Sequence, residues 1–455
     1  MVSTTQLEKS NVFSLLLKFS GPAIAGMLVV SVYNLVDRFY IGRSVGMLGM
    51  AGITVGYPLM MVKGAIALLL GIGGGAVVSI LLGEKKRDEA ERVMGTAVMM
   101  MIISSLALTI ISLLFLRPLM KLFGASDTVL PYAMDYMRVI VCGNLFHFIG
   151  FGLTYYIRAE GNPRTAMFAT IIGAVMNIIL DPIFIYIFEM GVAGAALATI
   201  ISQAITAVWV LLYYKRGKSF LKLRPNYLRV EIPFAKRIVS TGAASFLKQI
   251  AQSLIMIIFN NSLLYYGGDV AVSAMGVIFS VASLLNQPIY GISQGAQPII
   301  GYNFGAQLYG RVKKALFMAI ALATAYMTFA YIVIMFFPRA VLGFFTTEAE
   351  LIAVGTEGIR IYMLFLPIIG FQIIGASYFQ TVGRAKHAVF QNLTRQVLFL
   401  IPALLILPRF LQLKGVWAAQ AVADGLSVLV TGYFVWREVR QLDRKEAELL
   451  ARHEL

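Results

Sequence analysis

Apolar residues along this chain come in long unbroken runs, with no two-residue alternation and no narrow amphipathic stripe. Between charged or turn-rich breaks, the runs cover approximately 13–41, 51–82, 94–116, 131–157, 165–188 and 191–214, then 237–266, 270–304, 314–337, 351–382, 388–408 and 415–436. Each is near or beyond the ~20 residues that a helix needs to cross a bilayer. The pattern predicts about twelve membrane-spanning helices. The longest runs predict tilt or kinks. Pro22, Pro58, Pro182, Pro288, Pro298, Pro367 and Pro402 lie within or at the ends of these runs, where neighbouring helices can satisfy the carbonyls that proline frees.

Composition agrees with an all-α polytopic membrane protein: 59% of residues are hydrophobic and 13% charged, against roughly 25% charged in soluble domains. The first apolar stretch, Phe13 to Ile41, is far longer than the core of a cleavable signal peptide. The net charge of +16 is a matter of placement. Lys85, Lys86, Arg87, Arg92, Arg158, Arg164, the segment from Lys215 to Arg237, Arg311, Lys313, Lys314, Arg384, Lys386 and the carboxy-terminal basic residues all fall on the side of the amino terminus. That side is cytoplasmic by the positive-inside rule, and both termini are expected there. No basic patch interleaved with exposed aromatics points to nucleic acid. The single cysteine, Cys142, permits no intramolecular disulfide and is expected to be a small buried packing residue. Gly71-Ile72-Gly73-Gly74-Gly75 loosely fits a dinucleotide pattern, but inside a membrane helix it reads as a close-packing surface. No Walker lysine follows a glycine loop, and no zinc-ligand cluster or Ser/His/Asp set is present. Neither an enzyme nor a bound cofactor is expected.

The chain repeats itself at an offset of about 222 residues. Gly83, which ends one apolar run, is echoed by Gly305, and Arg158-Ala159-Glu160-Gly161-Asn162-Pro163-Arg164 by Gln380-Thr381-Val382-Gly383-Arg384-Ala385-Lys386. Gly191-Val192-Ala193-Gly194 is echoed, two residues further on, by Gly415-Val416-Trp417-Ala418. Six spans per half keep both halves in one orientation, as two pseudo-symmetric six-helix bundles about an axis along the membrane normal. The expected division is an amino-terminal lobe over 1–218, a linker over 219–236, a carboxy-terminal lobe over 237–437 and a charged tail over 438–455.

Candidate chemistry sits in the first lobe. Asp37 and Asp181 interrupt apolar spans, where a carboxylate costs a few kcal/mol or more. Asn177 lies one helical turn before Asp181 on the same face. At about 1.5 Å per residue, Asp37, Asp181 and Thr199 all fall roughly 6–12 Å below the outer surface. Pro182 frees the carbonyl of Ile178 close by. Oxygen ligands of this kind can hold Na⁺, or the two carboxylates can share a proton. Two aspartates in a mostly apolar setting favour H⁺, with Na⁺ left open; a purely structural hydrogen-bond network is the bland alternative. Shifted by the repeat offset, Asp37 and Asp181 land near Ile258 and Ala403, and Asn177 on Phe399, so the site belongs to one lobe only. In the second lobe, Asp424 is expected to form a structural ion pair with Lys248 or Arg395, the alternative being that these charges line a substrate path. Lys63 has no obvious partner. Met27, Tyr33 and Asn34 on the first span, with Gln287 and Tyr290 on the eighth, are candidates for an adaptable cavity.

Tyr33-Asn34-Leu35-Val36-Asp37-Arg38-Phe39-Tyr40-Ile41-Gly42, Arg158 through Met167, and Asn177-Ile178-Ile179-Leu180-Asp181-Pro182 resemble motifs of the MATE (multidrug and toxic compound extrusion) transporters, in the MepA-like branch of the DinF-related group. The resemblance covers nearly the whole chain. It implies a monomeric antiporter in a bacterial or archaeal cytoplasmic membrane, exporting small organic cations or amphipathic drugs against inward H⁺ or Na⁺. It assigns coupling to Asp37, Asn177, Asp181 and Thr199, and adds Tyr136 on the fourth span. The runner-up is a lipid or lipid-linked precursor flippase of the same superfamily.

Overall fold

Long helices account for nearly all of the chain. The computed structural model describes residues 4–44, 46–217, 219–346 and 348–453; within these helices the side chains at 4–6, 34, 38, 39, 42, 44, 46, 47, 452 and 453 lie outside the described ones. Among the described residues, eight helices are long and apolar enough to cross a membrane, and two bent helix pairs bring the count to ten. Two of the eight must each count twice. Ile232–Gly305 runs for 74 residues and is broken at Gly268, which has φ 64°. A continuous helix of that length would measure about 110 Å, several times the ~30 Å hydrocarbon core. Ile401–His453 is likewise broken, at Gln412 with φ 50°. The result is the twelve-span all-α architecture expected from the apolar runs.

The first six spans are Val12–Ser44, Gly46–Gly83, Arg87–Leu114, the pair Leu130–Cys142 and Asn144–Ala159 bent by 55°, Pro163–Pro182 continued by Ile183–Ile187, and Gly191–Lys215. The arms of Ile232–Gly305 are spans seven and eight. Tyr309–Phe336 is span nine, and the pair Ala349–Tyr362 and Leu366–Thr381, bent by 51°, is span ten. Span eleven starts at Ala385–Leu393 and span twelve follows Gln412. Exposed side chains such as Leu106, Ile110 and Leu114 on span three, and Phe329, Ile332 and Phe336 on span nine, are apolar, as a lipid-facing surface requires. Cys142 is exposed rather than buried. It closes the first half of span four at the bend, on a face that the helix turns outward.

Contacts divide the chain into two units: residues 1–9 with 25–246, and 10–24 with 247–455. In the first unit, glycines bring spans two and seven together. A methyl group added at Gly242 would stand 2.0 Å from the Leu69 carbonyl oxygen, and one at Gly73 would stand 2.4 Å from the Ile238 carbonyl oxygen. Gly74 leaves room for Tyr156, whose hydroxyl donates to the Leu70 carbonyl at 2.9 Å. The glycine run is therefore a packing surface.

Buried acids tie the segment after span six to this unit. Glu160, 4% exposed, accepts from the Tyr213 and Ser219 hydroxyls and from Leu221 N at 3.1 Å. Glu91 accepts from Arg87 and from the Lys222 amide, and forms an ion pair with Arg224. In the second unit the last helix continues to His453, where Asp443 and Glu446 meet Lys313 and Glu438 accepts from Tyr378 at 3.1 Å.

Gly242→Ala should lower stability by about 1–3 kcal/mol through overpacking, read as a fall in melting temperature in detergent; an unchanged melting temperature would refute the close approach. Burial pushes the Glu160 carboxyl, in the loop after span four, from 4.5 up to about 7. The folded state thus holds the proton more tightly than the unfolded chain. The resulting stabilisation is fully present below pH 4.5 and is lost as pH rises through about 7. Melting temperature measured against pH should fall across that window, and Glu160→Gln should remove that part of the fall.

Candidate functional site

Span five delivers the core of the site because its last regular turn ends at a proline. Asn177 and Asp181 share one face, and both are buried, at 2% and 0% exposure. Pro182 has no N–H to donate, and the helix widens directly after it into a π-helical turn over Ile183–Ile187, closed by Phe188 N to the Ile183 carbonyl at 3.0 Å. Wide turns of this kind recur at functional sites.

Asn177 joins two spans. Its Nδ2 donates to Asp181 Oδ1 at 3.3 Å and to Thr199 Oγ1, on span six, at 3.4 Å. Asp181 Oδ2 and Asn177 Oδ1 are both buried without a hydrogen-bond partner among the described residues. An orphaned carboxylate oxygen inside a membrane protein is costly unless a proton or a cation satisfies it. Asp37, half-buried on span one, lies close enough for its charge to act on Asp181, and Tyr33 feels the charge of both aspartates. The outer ends of the two spans are pinned together: the Tyr186 hydroxyl donates to the Tyr40 carbonyl at 3.2 Å, and the two rings meet edge to face at 6.2 Å. Thus Asn177, Asp181 and Thr199 are joined by hydrogen bonds, within the field of Asp37, and Tyr33 feels the charge of both acids. Tyr136 is buried in an adjoining apolar cluster with Ala195 and Ala196 of span six, one turn before Thr199.

The cavity candidates are more scattered. Met27 is half-buried on span one, and Asn34's side chain lies outside the described ones. Gln287 and Tyr290 are half-buried on span eight, in the second unit. Of the two expected partners for Asp424, Arg395 is the one that pairs, through Nε at 2.8 Å. Gln420, one turn before Asp424, adds two bonds at 2.9 and 3.1 Å. Lys248 instead meets the Tyr290 hydroxyl at 3.5 Å and stands 5.0 Å from the ring centroid. Lys63, 5% exposed, does have a partner, Gln203 Oε1 at 3.5 Å, and lies near His147. The i, i+4 placement of Gln420 and Asp424 was a readable signal for that amide; the Lys63–Gln203 contact crosses 140 residues and left none.

Comparison with known proteins places this geometry in context. A family model described as MatE matches residues 22–183 and again 244–405, the second match starting 222 residues after the first. The multidrug export protein MepA of Staphylococcus haemolyticus is 25% identical over 443 residues, covering 97% of both chains. MepA of Staphylococcus aureus is 26% identical over 446 residues, covering 97% of this chain and 98% of its own. A solved structure of the MATE multidrug transporter DinF-BH in a ligand complex is 38% identical, with a TM-score of 0.87 over 93% of this chain and 95% of that one. A MATE in complex with MaL6, 23% identical, shares the fold at a TM-score of 0.92.

Because Asp181 is held in the membrane interior with an unsatisfied oxygen, Asp181→Asn should raise stability, by about 1 kcal/mol. The melting temperature of the purified variant at neutral pH should therefore exceed that of the wild type. A clear fall would mean that the carboxylate is a structural element rather than a strained functional one.

Proposed function

The chain belongs to the MatE family, and from that premise we propose that it is a secondary active multidrug efflux antiporter. It exports cationic or amphipathic organic compounds unchanged, in exchange for H⁺ or Na⁺, by alternating access between two lobes. The observation that carries this reading is the buried, partly unsatisfied carboxylate of Asp181, grouped with Asn177, Thr199 and the charge of Asp37.

Two anionic aspartates at close range repel each other, so the site favours taking up one positive charge. A proton on Asp181 would give its open oxygen a donor; Na⁺ would draw on the carboxylate, amide and hydroxyl oxygens. Ion and substrate then favour different lobe arrangements, and each promotes release of the other. Met27 and Tyr33, with Asn34, Gln287 and Tyr290, are the side chains we assign to the adaptable drug-facing surface. Names given to relatives at 25–26% identity, multidrug export protein, support drug-like substrates. The multi-pass helices and the placement of basic residues support a cytoplasmic membrane with both termini inside; the monomeric state is carried over from the family resemblance.

In proteoliposomes with separately imposed pH and Na⁺ gradients, the wild type should move a fluorescent organic cation under one of the two. Asp37→Asn and Asp181→Asn should each reduce that movement to the level of empty vesicles while inserting normally. Wild-type rates in both variants would defeat the reading.

A further inference from the structure

The second unit buries charge that the coupling site does not use. Lys248 on span seven, Arg395 on span eleven and Asp424 on span twelve bring two positive charges and one negative into its membrane-spanning part. Asp424, 2% exposed, is saturated by Arg395 Nε and by Gln420. Arg395 makes its described hydrogen bond through Nε alone, leaving its terminal nitrogens without a described partner. Lys248 has no carboxylate partner among the described residues; its ammonium meets only the hydroxyl and ring of Tyr290. Tyr290 also lies in the field of Arg395, so two cations flank one phenol. One positive charge is left over.

An uncompensated cation at membrane depth is expensive and marks a place where something negative visits. A guanidinium with open terminal nitrogens and a lysine ammonium are both strong partners for a carboxylate. The aromatic face of Tyr290 suits the flat body of an amphipathic compound. We propose that Lys248, Tyr290 and the terminal nitrogens of Arg395 form a subsite for the carboxylate of a zwitterionic aromatic substrate. The inference rests on the export reading above and narrows it: compounds with an anionic arm beside their cationic group are preferred to pure cations.

The test uses a rhodamine with a free carboxylate and the methyl ester of the same dye, both titrated against the purified full-length protein in nanodiscs by fluorescence anisotropy. The wild type should bind the free-carboxylate dye about tenfold more tightly than the ester, as one charge-assisted contact implies. Lys248→Gln should bring the ratio close to one, and Lys248→Arg should restore it. Lys248→Met, of similar length, guards against a packing artefact and should behave like Lys248→Gln. Equal binding of the two dyes by the wild type, or a preference that survives in Lys248→Gln and Lys248→Met, would overturn the subsite. Gradient-driven transport of the ester in proteoliposomes is scored separately. Its loss would count against export, and its persistence without a carboxylate preference would count against the subsite alone.

Discussion

A carboxylate held at zero exposure inside a membrane-spanning bundle, with one oxygen satisfied and the other not, is the constraint around which the first unit is arranged. Asn177 fixes one oxygen of Asp181 from the preceding turn and reaches across to Thr199. Pro182 ends the regular ladder, the wide turn of Ile183–Ile187 follows, and Tyr186 from that turn grips the backbone of span one at Tyr40, three residues past Asp37. Local sequence thus produces the local break, and the break is followed by a turn that contacts span one close in sequence to Asp37, whose charge acts on Asp181. A buried acid of that cost is characteristic of functional sites in membrane proteins.

The two halves share a plan and diverge in chemistry. The family model matches them at an offset of 222 residues, and spans five and eleven both carry a π-helical segment, at Ile183–Ile187 and Thr394–Leu400. At that offset Asp181 corresponds to buried Ala403, and Asp37 to Phe259, which packs edge to face with Phe279 and Tyr362. The second unit therefore replaces the paired acids with apolar filling and keeps its own charges elsewhere, at Lys248, Arg395 and Asp424. Acid in the first unit and surplus positive charge in the second set the chemistry of the two halves apart.

Much of this was legible in the chain because bilayer thickness imposes a length on every span. The twelve runs, the repeat offset and the grouping of Asp37, Asn177, Asp181 and Thr199 all follow from length, spacing and depth. What escaped depends on tertiary packing. Span four bends at Gly143, where no proline marks the kink, and span ten bends around Met363–Phe365, just before Pro367, whose position alone does not say how far the span turns. Asp424 chose Arg395 over Lys248, a decision between two cations that only three-dimensional placement makes. The segment after span six looks like a solvated linker, yet Glu160 and Glu91 clamp it to the first unit through contacts 59 to 133 residues apart in sequence.

The central claim is that Asp181 holds the exchanged ion, and that its occupation disfavours binding of the substrate elsewhere in the protein. Its most direct test is the affinity of the purified protein for an organic cation, measured as pH and Na⁺ concentration are varied independently. The wild type should bind the organic cation more weakly as the coupling ion is raised, and Asp181→Asn should abolish that dependence. The same ion dependence in Asp181→Asn as in the wild type would contradict the account.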